Sequence, residues 1–407
     1  MIINKPTEFF VDKWIIWVFF VLLFYLPIVE RGEALVYLFF FFICISLGFI
    51  LDNTKNFALN RIVFISLIVL FFLFAGFRNF GIGVDTNVYI MRYFYQAEVI
   101  SSAKDFFISD FNGDKGFLFL ACVSHFFCKD PQFFLVCIAL FIYSFTFFSA
   151  AKIFQNEKKF SWMLFLFIWL FTLFHESLNA MRQYCAMSIL LLSFVFLWNN
   201  KWLKALVLVI PAYFFHSSSI VFLIVFFFYM LSFTSKQKRI ILTCFFILAG
   251  IILTVKIFDV LPSLNNSGIV ADQFIEQYGE DSKHDSMNLF GPSFWAMYSI
   301  MSFVIWKTYS KGFIFNKKLM LTIGIHSFYF IFRLAAFSVV YLNRLSSYFF
   351  YCEVLVLSIF LTKNIVSEKI KIALYLCIVY MWYKGFIFHP GAETYPYRST
   401  ILGITGL

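Results

Sequence analysis

Residues 62–77 read IVFISLIVLFFLFAGF and contain no charged side chain. Residues 35–51, LVYLFFFFICISLGFIL, form a second run of the same kind. An α-helix needs about 20 predominantly apolar residues to cross the hydrocarbon core of a bilayer, and both runs approach that length. The runs are continuously apolar rather than alternating, which argues against the strands of a transmembrane β-barrel. The sequence therefore predicts an all-α integral membrane protein.

The composition of the whole chain agrees with this prediction. Of the 407 residues, 62% are hydrophobic and 13% are charged, whereas a soluble domain has about 45–50% apolar and about 25% charged residues. This balance excludes soluble globular, disordered and fibrous proteins. We expect the net charge of +10 to reflect cytoplasmic loops, so it does not indicate nucleic-acid binding. One transmembrane domain over residues 1–407 is expected.

Thirteen apolar runs are candidates for membrane spans, and a shorter run near 116–128 is a candidate short or re-entrant helix. Lys and Arg mark the cytoplasmic loops of membrane proteins, and here they concentrate in every second loop when the N-terminus is placed inside. The sequence therefore predicts a polytopic protein with about 13 transmembrane helices, in a range of roughly 12–14. The runs lie at residues 14–30, 35–51, 62–77, 132–150, 161–174, 183–198, 205–215, 219–233, 240–257, 293–309, 319–338, 345–361 and 372–388.

Two long loops, 78–115 and 258–292, both fall on the outer side in this topology. Long loops are often functional. The eight cysteines include no CxxC pair, so the sequence indicates neither a zinc site nor a redox site. The first apolar run, 14–30, lacks a small-residue cleavage site, so we expect it to remain as a helix.

A polar cluster directly follows the run that ends at residue 77 and reads RNFGIGVDTN over residues 78–87. Gly81 and Gly83 favour a turn with close backbone approach. Asp85 or Thr86 is then placed to cap an amphipathic helix. For Asp85 the alternatives are therefore helix capping and a direct role in a site.

The arginines of this cluster also have two interpretations. Arg78 could extend toward the lipid headgroups, as long basic side chains do near helix ends. Arg78 and Arg92 could instead bind a phosphate together with the N-terminus of the amphipathic helix, which also carries Tyr89 and Tyr93.

A second cluster contains His175, Glu176, Asn179, Arg182 and Gln183, and it precedes the run 183–198. The cluster opens the helix predicted over residues 183–198, so we expect His175, Asn179 and Arg182 to share one helix face. Glu176 could simply pair with Arg182 or stabilise the helix N-terminus. A basic residue at a helix N-terminus opposes the dipole, so the position of Arg182 favours binding of an anion.

Two further features lie on the same predicted side. His216 precedes three serines in a tight turn, where it is either a turn residue or a site residue. Arg333 lies in an apolar run, with Tyr329 and His326 four and seven residues before it. A charged side chain at membrane depth is costly, so Arg333 either forms a structural ion pair or faces a cavity.

The order, spacing and common side of these motifs resemble the EpsG family of exopolysaccharide polymerases, a branch of the Wzy-type O-antigen polymerases. The resemblance extends from about residue 62 to 398, and Asp114 stands where the family often has Glu. The matching elements are Arg78, Gly83-Val84-Asp85-Thr86, Tyr89, Asp114-Lys115-Gly116-Phe117, Met181-Arg182-Gln183, Phe215-His216-Ser217-Ser218-Ser219, Arg344, Tyr348 and Pro396-Tyr397.

The resemblance implies a glycosyltransferase of the bacterial inner membrane, working at the periplasmic face without metal or cofactor. It would transfer a growing glycan from undecaprenyl diphosphate to the non-reducing end of a lipid-linked repeat unit, in lipopolysaccharide or exopolysaccharide synthesis. Its partners would be the undecaprenyl-diphosphate-linked oligosaccharide, membrane lipid and a polysaccharide chain-length regulator, with no nucleic acid.

This chemistry suits the polar residues of the sequence. Planar arginines bind a diphosphate well and stabilise the charge that grows on it as the glycosidic bond breaks. Only the acceptor hydroxyl needs a base. The residues expected to hold the diphosphate are Arg78, Arg182, Arg333 and Arg344. The candidate bases are Asp85, Glu176 and His216. The residues expected to contact the glycan are Tyr89, Arg92, His175, Gln183 and Tyr348.

Three other functions remain open at this point. A flippase for lipid-linked glycan would need a cationic path reachable from both faces, whereas the basic groups cluster outside and no internal repeat is evident. An O-antigen ligase or another lipid-linked glycosyltransferase would use the same groups. A membrane O-acetyltransferase would need an inward-facing His or Arg cluster, and none is apparent.

Overall fold

The computed structural model shows a helical protein. Its only strand-like pairing in the described residues is an isolated bridge between Ser399 and Ile404. The structure describes residues 12–18, 21–22, 34–100, 102–108, 113–157, 160–234, 238, 241–250, 252, 292–310, 316–336, 341–362, 366–388 and 393–404.

The helices of these residues are numbered here in chain order. A π-helical turn, Ile90–Phe94, joins α3 to α4; a 3₁₀ helix, Ser217–Phe222, precedes α12; and a second π-helical segment, Tyr383–Phe388, follows α17. The helices are α1 Leu35–Asn53, α2 Phe57–Gly76, α3 Asp85–Tyr89, α4 Tyr95–Val99, α5 Ala103–Ile108, α6 Lys115–Phe127, α7 Pro131–Asn156, α8 Trp162–Thr172, α9 Phe174–Asn179, α10 Met181–Trp198, α11 Trp202–Phe215, α12 Leu223–Leu231, α13 Ile241–Gly250, α14 Pro292–Ser310, α15 Asn316–Ala335, α16 Tyr341–Thr362 and α17 Glu368–Trp382.

The prediction of an all-α, multi-pass membrane protein is confirmed. Within the described residues, seven helices are long and apolar enough to cross a membrane, and they belong to α1, α2, α7, α10, α15, α16 and α17. Shorter apolar helices include α6, α8 and α11. The 13-residue α6 is the short helix expected near 116–128. The count of about 13 spans stays a prediction.

Of the two long loops predicted from the sequence, the structure describes most of the first and only the last residue of the second. The segment 78–115 is helical over much of its length, because α3, α4 and α5 lie within it. Apart from Pro292, the loop 258–292 lies outside the described residues. So does much of the first predicted span, although residues 13–18 and 21–22 are helical.

Polar side chains determine where several helices begin. Asn56 accepts a hydrogen bond from Leu59 N–H (3.1 Å) at the start of α2, and the Asp130 carboxylate caps α7. At the start of α8 the carboxylate of Asp52, from α1, accepts from Trp162 N–H at 2.8 Å. This last cap is made by another helix, so it also joins α1 to α8.

Helices α8 and α10 form the centre of the bundle. Every residue of α8 from Trp162 to Phe171 is buried, and α10 is buried along most of its length. A helix that is apolar on all sides is stable when other helices surround it. The most extensive packing pairs α10 with α11, α15 with α16, α2 with α7, α10 with α7, and α1 with α8.

Candidate functional site

Several segments of the chain meet at one end of the bundle, which we call the site end. Here α2 and α15 finish, and α7, α10 and α16 begin. The backbone N–H of Asp85 donates to Asn179 Oδ1 at 2.9 Å, and Gln183 Nε2 donates to the carbonyl oxygen of Arg344 at 2.5 Å. Polar residues that are far apart in sequence are therefore neighbours at this end.

The chain leaves α2 through a turn that requires glycine. Gly83 has a φ of +88°, and a Cβ at this position would lie 2.9 Å from the carbonyl oxygen of Leu178. The Gly83 N–H donates to the carbonyl oxygen of Glu393 at 3.0 Å. A Cβ on Gly81 would meet open space. The close backbone approach predicted for both glycines is thus found at Gly83 only.

Arg78 stabilises this turn from inside the protein. Its guanidinium donates to the carbonyl oxygens of Ala75 and Leu178, the latter at 2.9 Å, and its Nε donates to that of Ile82 at 3.4 Å. The residue is 2% exposed. A buried guanidinium is stable when its N–H groups are hydrogen-bonded in this way. Neither the headgroup position nor the diphosphate contact expected from the sequence fits this burial, so we correct the assignment to a structural one.

His175 is also enclosed. Its Nε2 accepts the indole N–H of Trp382 at 3.0 Å, so the ring proton lies on Nδ1, which donates to Thr394 Oγ1 at 3.0 Å. Burial lowers the pKa of His175 to about 3, and the ring stays neutral. Because the residue has no exposed surface, it ties α9 to α17 and to the C-terminal segment rather than contacting a glycan as expected.

The shared helix face predicted for His175 and Arg182 is wrong. The helix breaks at Ala180, whose ψ of 50° is not helical, so α9 ends before it and α10 begins after it. The break turns the two side chains in different directions. His175 points into the core, whereas Arg182 points toward α6 and the segment 85–99.

Arg182 is the centre of the polar network at the site end. Its Nη1 donates to Asp114 Oδ2 at 2.6 Å and to the hydroxyl of Tyr93 at 3.0 Å. The guanidinium lies 5.0 Å from the ring centroid of Tyr89 and 5.7 Å from that of Tyr93. Its Nε has no hydrogen-bond partner among the described residues. The side chain is 25% exposed. The guanidinium is therefore held in place, while its Nε–H still lacks an acceptor among the described residues.

Asp85 contributes to this network and does not cap α3 as expected. The cap residue is Val84, without a side-chain hydrogen bond, and Thr86 bonds back to the preceding turn. The Asp85 carboxylate accepts the hydroxyl of Tyr89 at 3.0 Å. Because Tyr89 also lies against Arg182, Asp85 is linked to that arginine through one aromatic ring.

Asp114 is the carboxylate that pairs with Arg182. The sequence alone left its role open. Its carboxylate pairs with Arg182 at 2.6 Å, and the backbone N–H of Ser217 favours its charged form. Its own N–H donates to the hydroxyl of Tyr93 at 3.2 Å. Burial raises the pKa of Asp114, and the charge of Arg182 opposes that rise. Its place immediately before the Lys115-Gly116 motif was the signal that could have identified it.

Two more arginines approach from α15 and α16. Gln183, which is 4% exposed, donates to the carbonyl oxygen of Arg344 and so positions that backbone rather than a glycan. Arg333 donates to Asn343 Oδ1, and its guanidinium lies 5.4 Å from the ring centroid of Phe294. The side chain of Arg344 is exposed.

The positive charges of two of these arginines act on His216. Burial, followed by the charges of Arg182 and Arg344, lowers the pKa of His216 to about 3. The imidazole is therefore neutral at physiological pH. It can donate or accept a hydrogen bond, but it is a weak proton acceptor.

Glu176 belongs to the same group of residues. Its Oε2 accepts the hydroxyl of Tyr184 at 3.1 Å. Burial raises the pKa of Glu176, whereas the charges of Arg333 and Arg344 and the hydrogen bond from Tyr184 lower it. Since the charge of Arg344 acts on both Glu176 and His216, these two residues belong to one polar region near the arginines of α10, α15 and α16.

The residues expected to contact the glycan are mostly hidden. Arg92 is exposed, with its guanidinium 6.0 Å from the ring centroid of Tyr93. Tyr348 is 1% exposed, and its hydroxyl lies 3.1 Å from Ser218 Oγ. Tyr89 is 6% exposed. In this structure Arg92 is therefore the accessible member of the expected set.

The sequence of this chain matches a known protein family. The sequence model of the EpsG family matches residues 61–399. The chain belongs to the EpsG family. Its matched region contains the turn at Gly83, the network around Arg182 and the arginines of α15 and α16. Membership in the EpsG family indicates a membrane protein of the polysaccharide-polymerase type. No curated protein and no solved structure matches the chain.

A second polar group of this EpsG-family chain surrounds His326, whose partner Glu353 was missed by the sequence reasoning. His326 Nδ1 lies 2.6 Å from Glu353 Oε1, and His326 Nε2 lies 2.8 Å from Ser302 Oγ. The ring of Tyr298 stacks on His326 at 4.5 Å. A carboxylate inside the apolar run 345–361 was the available signal. Among the described residues, no three His, Cys, Asp or Glu side chains come close enough to hold one metal ion.

Proposed function

We propose that this EpsG-family protein is a polysaccharide polymerase acting on lipid-linked intermediates. It transfers the growing glycan from undecaprenyl diphosphate to the non-reducing end of a lipid-linked repeat unit. The observation that carries the proposal is the convergence of Arg182, Arg333 and Arg344 at the site end. The charges of Arg333 and Arg344 act on Glu176, and those of Arg182 and Arg344 act on His216, in a chain of the polysaccharide-polymerase type.

Arg182, Arg333 and Arg344 place a group of cations at one end of the membrane bundle, with the carboxylates of Glu176, Asp114 and Asp85 nearby. A lipid-linked diphosphate is an anionic ligand that such arginines can bind at the depth of the lipid headgroups. Arginine suits it because its planar fork can bond two phosphate oxygens at once.

The same arginines would lower the barrier to transfer. As the glycosidic bond breaks, the bond electrons go to the diphosphate oxygen, so negative charge increases there. Donors already held in position stabilise that charge without reorganising. Asp114 and Tyr93 hold the guanidinium of Arg182, and Gln183 holds the backbone of Arg344. The leaving diphosphate needs no protonation, so one base is sufficient.

Among the three candidate bases, we favour Glu176. Its raised pKa makes the carboxylate a stronger base than an ordinary one. His216, with a pKa of about 3, holds a proton poorly. Asp85 is linked to Arg182 through the ring of Tyr89. Glu176 would take the proton of the acceptor hydroxyl as that oxygen bonds to the sugar carbon.

The distribution of lysine supports an inner-membrane orientation with the site end facing the periplasm. Cytoplasmic loops are enriched in Lys and Arg. The end of the bundle opposite the site end is formed where α1, α7 and α10 finish and α11 and α15 begin. It carries Lys55, Lys152, Lys201, Lys204, Lys317 and Lys318.

Deletion of the gene in its own host separates this proposal from its alternatives. On a gel of surface polysaccharide, loss of a polymerase leaves single repeat units on the lipid core and removes the ladder. Loss of all units would instead indicate a flippase or a ligase. An unchanged ladder would contradict a role in that polysaccharide.

Complementation then tests the residues. Wild-type protein should restore the ladder, and Glu176→Gln at equal protein level should not. Glu393→Gln is a matched control because Glu393 is an exposed carboxylate at the same end of the bundle. Restoration of a full ladder by Glu176→Gln would contradict its role as the base.

A further inference from the structure

The helical segment 84–99, which we call the surface helix, exposes a stripe of apolar side chains. It runs through α3, the π-helical turn and α4. The stripe residues are between 41% and 74% exposed. Their spacing of four, three, four and four residues places them on one face of a helix. They are Val84, Val88, Met91, Tyr95 and Val99.

The opposite face of the surface helix is buried against the protein. Tyr93 and Phe94 are fully buried, and Ala97 is 3% exposed. Phe94 stacks on Phe134 of α7 at 5.9 Å, and Tyr93 meets Phe117 of α6 edge to face at 5.0 Å. The packing of this helix on the protein is therefore satisfied without the exposed stripe.

Polar residues occupy the two flanks between these faces. Asn87 and Glu98 are exposed on one flank, and Arg92 is exposed on the other. A helix that packs on protein with one face normally turns a polar face to water. This helix instead has two apolar faces separated by polar flanks, which is the pattern of a helix held between protein and lipid.

Helix α6, which neighbours the surface helix, also exposes apolar side chains. This helix has 13 residues and packs against the surface helix, but it is too short to span a bilayer. Phe119, Phe126 and Phe127 of α6 are 58% to 83% exposed.

We propose that the surface helix lies in the interfacial layer of the membrane, with Val84, Val88, Met91, Tyr95 and Val99 in contact with lipid acyl chains. The partner of this face is a lipid surface. The polar flanks, including Arg92, lie at headgroup level. Tyr89 and Tyr93, on the inner side, bracket Arg182. The helix therefore holds that guanidinium at headgroup depth, where a lipid-anchored diphosphate lies; this last consequence rests on the proposed function.

Lipid contact can be measured without any activity assay. The full-length protein is purified with an environment-sensitive fluorescent amino acid in place of Met91 and is reconstituted into nanodiscs of phosphatidylcholine. Replacing that lipid with acyl-chain-brominated phosphatidylcholine should quench the fluorescence at least about twofold, because bromine quenches on contact. The matched control carries the same amino acid in place of Asn87 on the polar flank, where quenching should be clearly weaker.

The possible outcomes are distinct. Strong quenching at position 91 with weak quenching at position 87 supports the proposal. Equal, weak quenching with emission typical of water would show a solvated face and overturn it. Weak quenching with blue-shifted emission would show a face covered by protein and would also overturn it. In either overturning case, Arg182→Ala could still abolish polymer synthesis, so failure of this proposal is distinguishable from failure of the proposed function.

Discussion

Replacement of Arg182 tests the role of the arginine at the centre of the polar network at the site end. In Arg182→Ala the diphosphate loses one preorganised cationic donor. Loss of one such donor typically reduces the catalytic rate by about 10²–10³-fold. Arg182→Lys keeps the charge near Asp114 but lacks the planar fork. We therefore expect an intermediate loss for Arg182→Lys, of about tenfold.

The same substitution has a structural cost that must be measured separately. Arg182 donates to Asp114 at 2.6 Å and to Tyr93 at 3.0 Å. A hydrogen bond to a charged group contributes about 1.5–3 kcal/mol, so Arg182→Ala should also lower the free energy of unfolding by an amount of that order. Arg182→Lys, which can still contact Asp114, should be less destabilised.

The assay compares transfer rates per mole of folded protein. Purified variants are reconstituted with a lipid-linked repeat unit, and release of undecaprenyl diphosphate is followed over time. Arg398→Ala is the control, because Arg398 is an exposed arginine at the same end of the bundle. Wild-type rates for both Arg182→Ala and Arg182→Lys, at wild-type amounts of folded protein, would refute the assignment.

Three further predictions concern the other groups. If Glu176 is the base, the transfer rate should rise with pH as the carboxyl loses its proton, and half-maximal activity should lie above the ordinary pKa of 4.5. Arg333→Gln removes a charge that lowers the pKa of Glu176, so this variant should move the midpoint of the pH–rate profile to higher pH. Arg78→Met leaves buried carbonyl oxygens without donors, so thermal unfolding should show a loss of about 1–3 kcal/mol of stability per unsatisfied group. The transfer rate per folded molecule should stay within a few-fold of wild type. A lower rate at normal stability would show that Arg78 binds the diphosphate after all. Glu353→Ala, which removes the carboxylate partner of His326, should lower the unfolding temperature more than Glu353→Gln, and equal values would contradict a structural pairing.

The membrane fold could be predicted because it depends on local composition. The run 62–77 became α2 over Phe57–Gly76, since an apolar stretch of that length has few alternatives in a bilayer. The beginnings of α2 and α7 follow from Asn56 and Asp130, which are local capping residues. Helix α8 also has a local cap, Ser161, but its second cap by Asp52 could not be predicted, because Asp52 belongs to another helix.

The site was only partly predictable because most of its contacts are non-local. Arg78 and Arg182 look alike in sequence, since each lies next to a helix end. Their difference arises from the carbonyl oxygen of Leu178, which engages Arg78, and from Asp114, which binds Arg182. The interruption at Ala180 was also invisible, because the surrounding spacing is compatible with one continuous helix.

Reconstitution of the purified protein with a single lipid-linked repeat unit tests the central claim most directly. A polymerase should convert undecaprenyl-diphosphate-linked units into a ladder of longer glycans that remain lipid-linked, with one undecaprenyl diphosphate released for each new bond. Glu176→Gln should leave the units unjoined. The account is contradicted if the wild-type protein, folded and exposed to both donor and acceptor, leaves every unit single or moves the units across the bilayer without joining them.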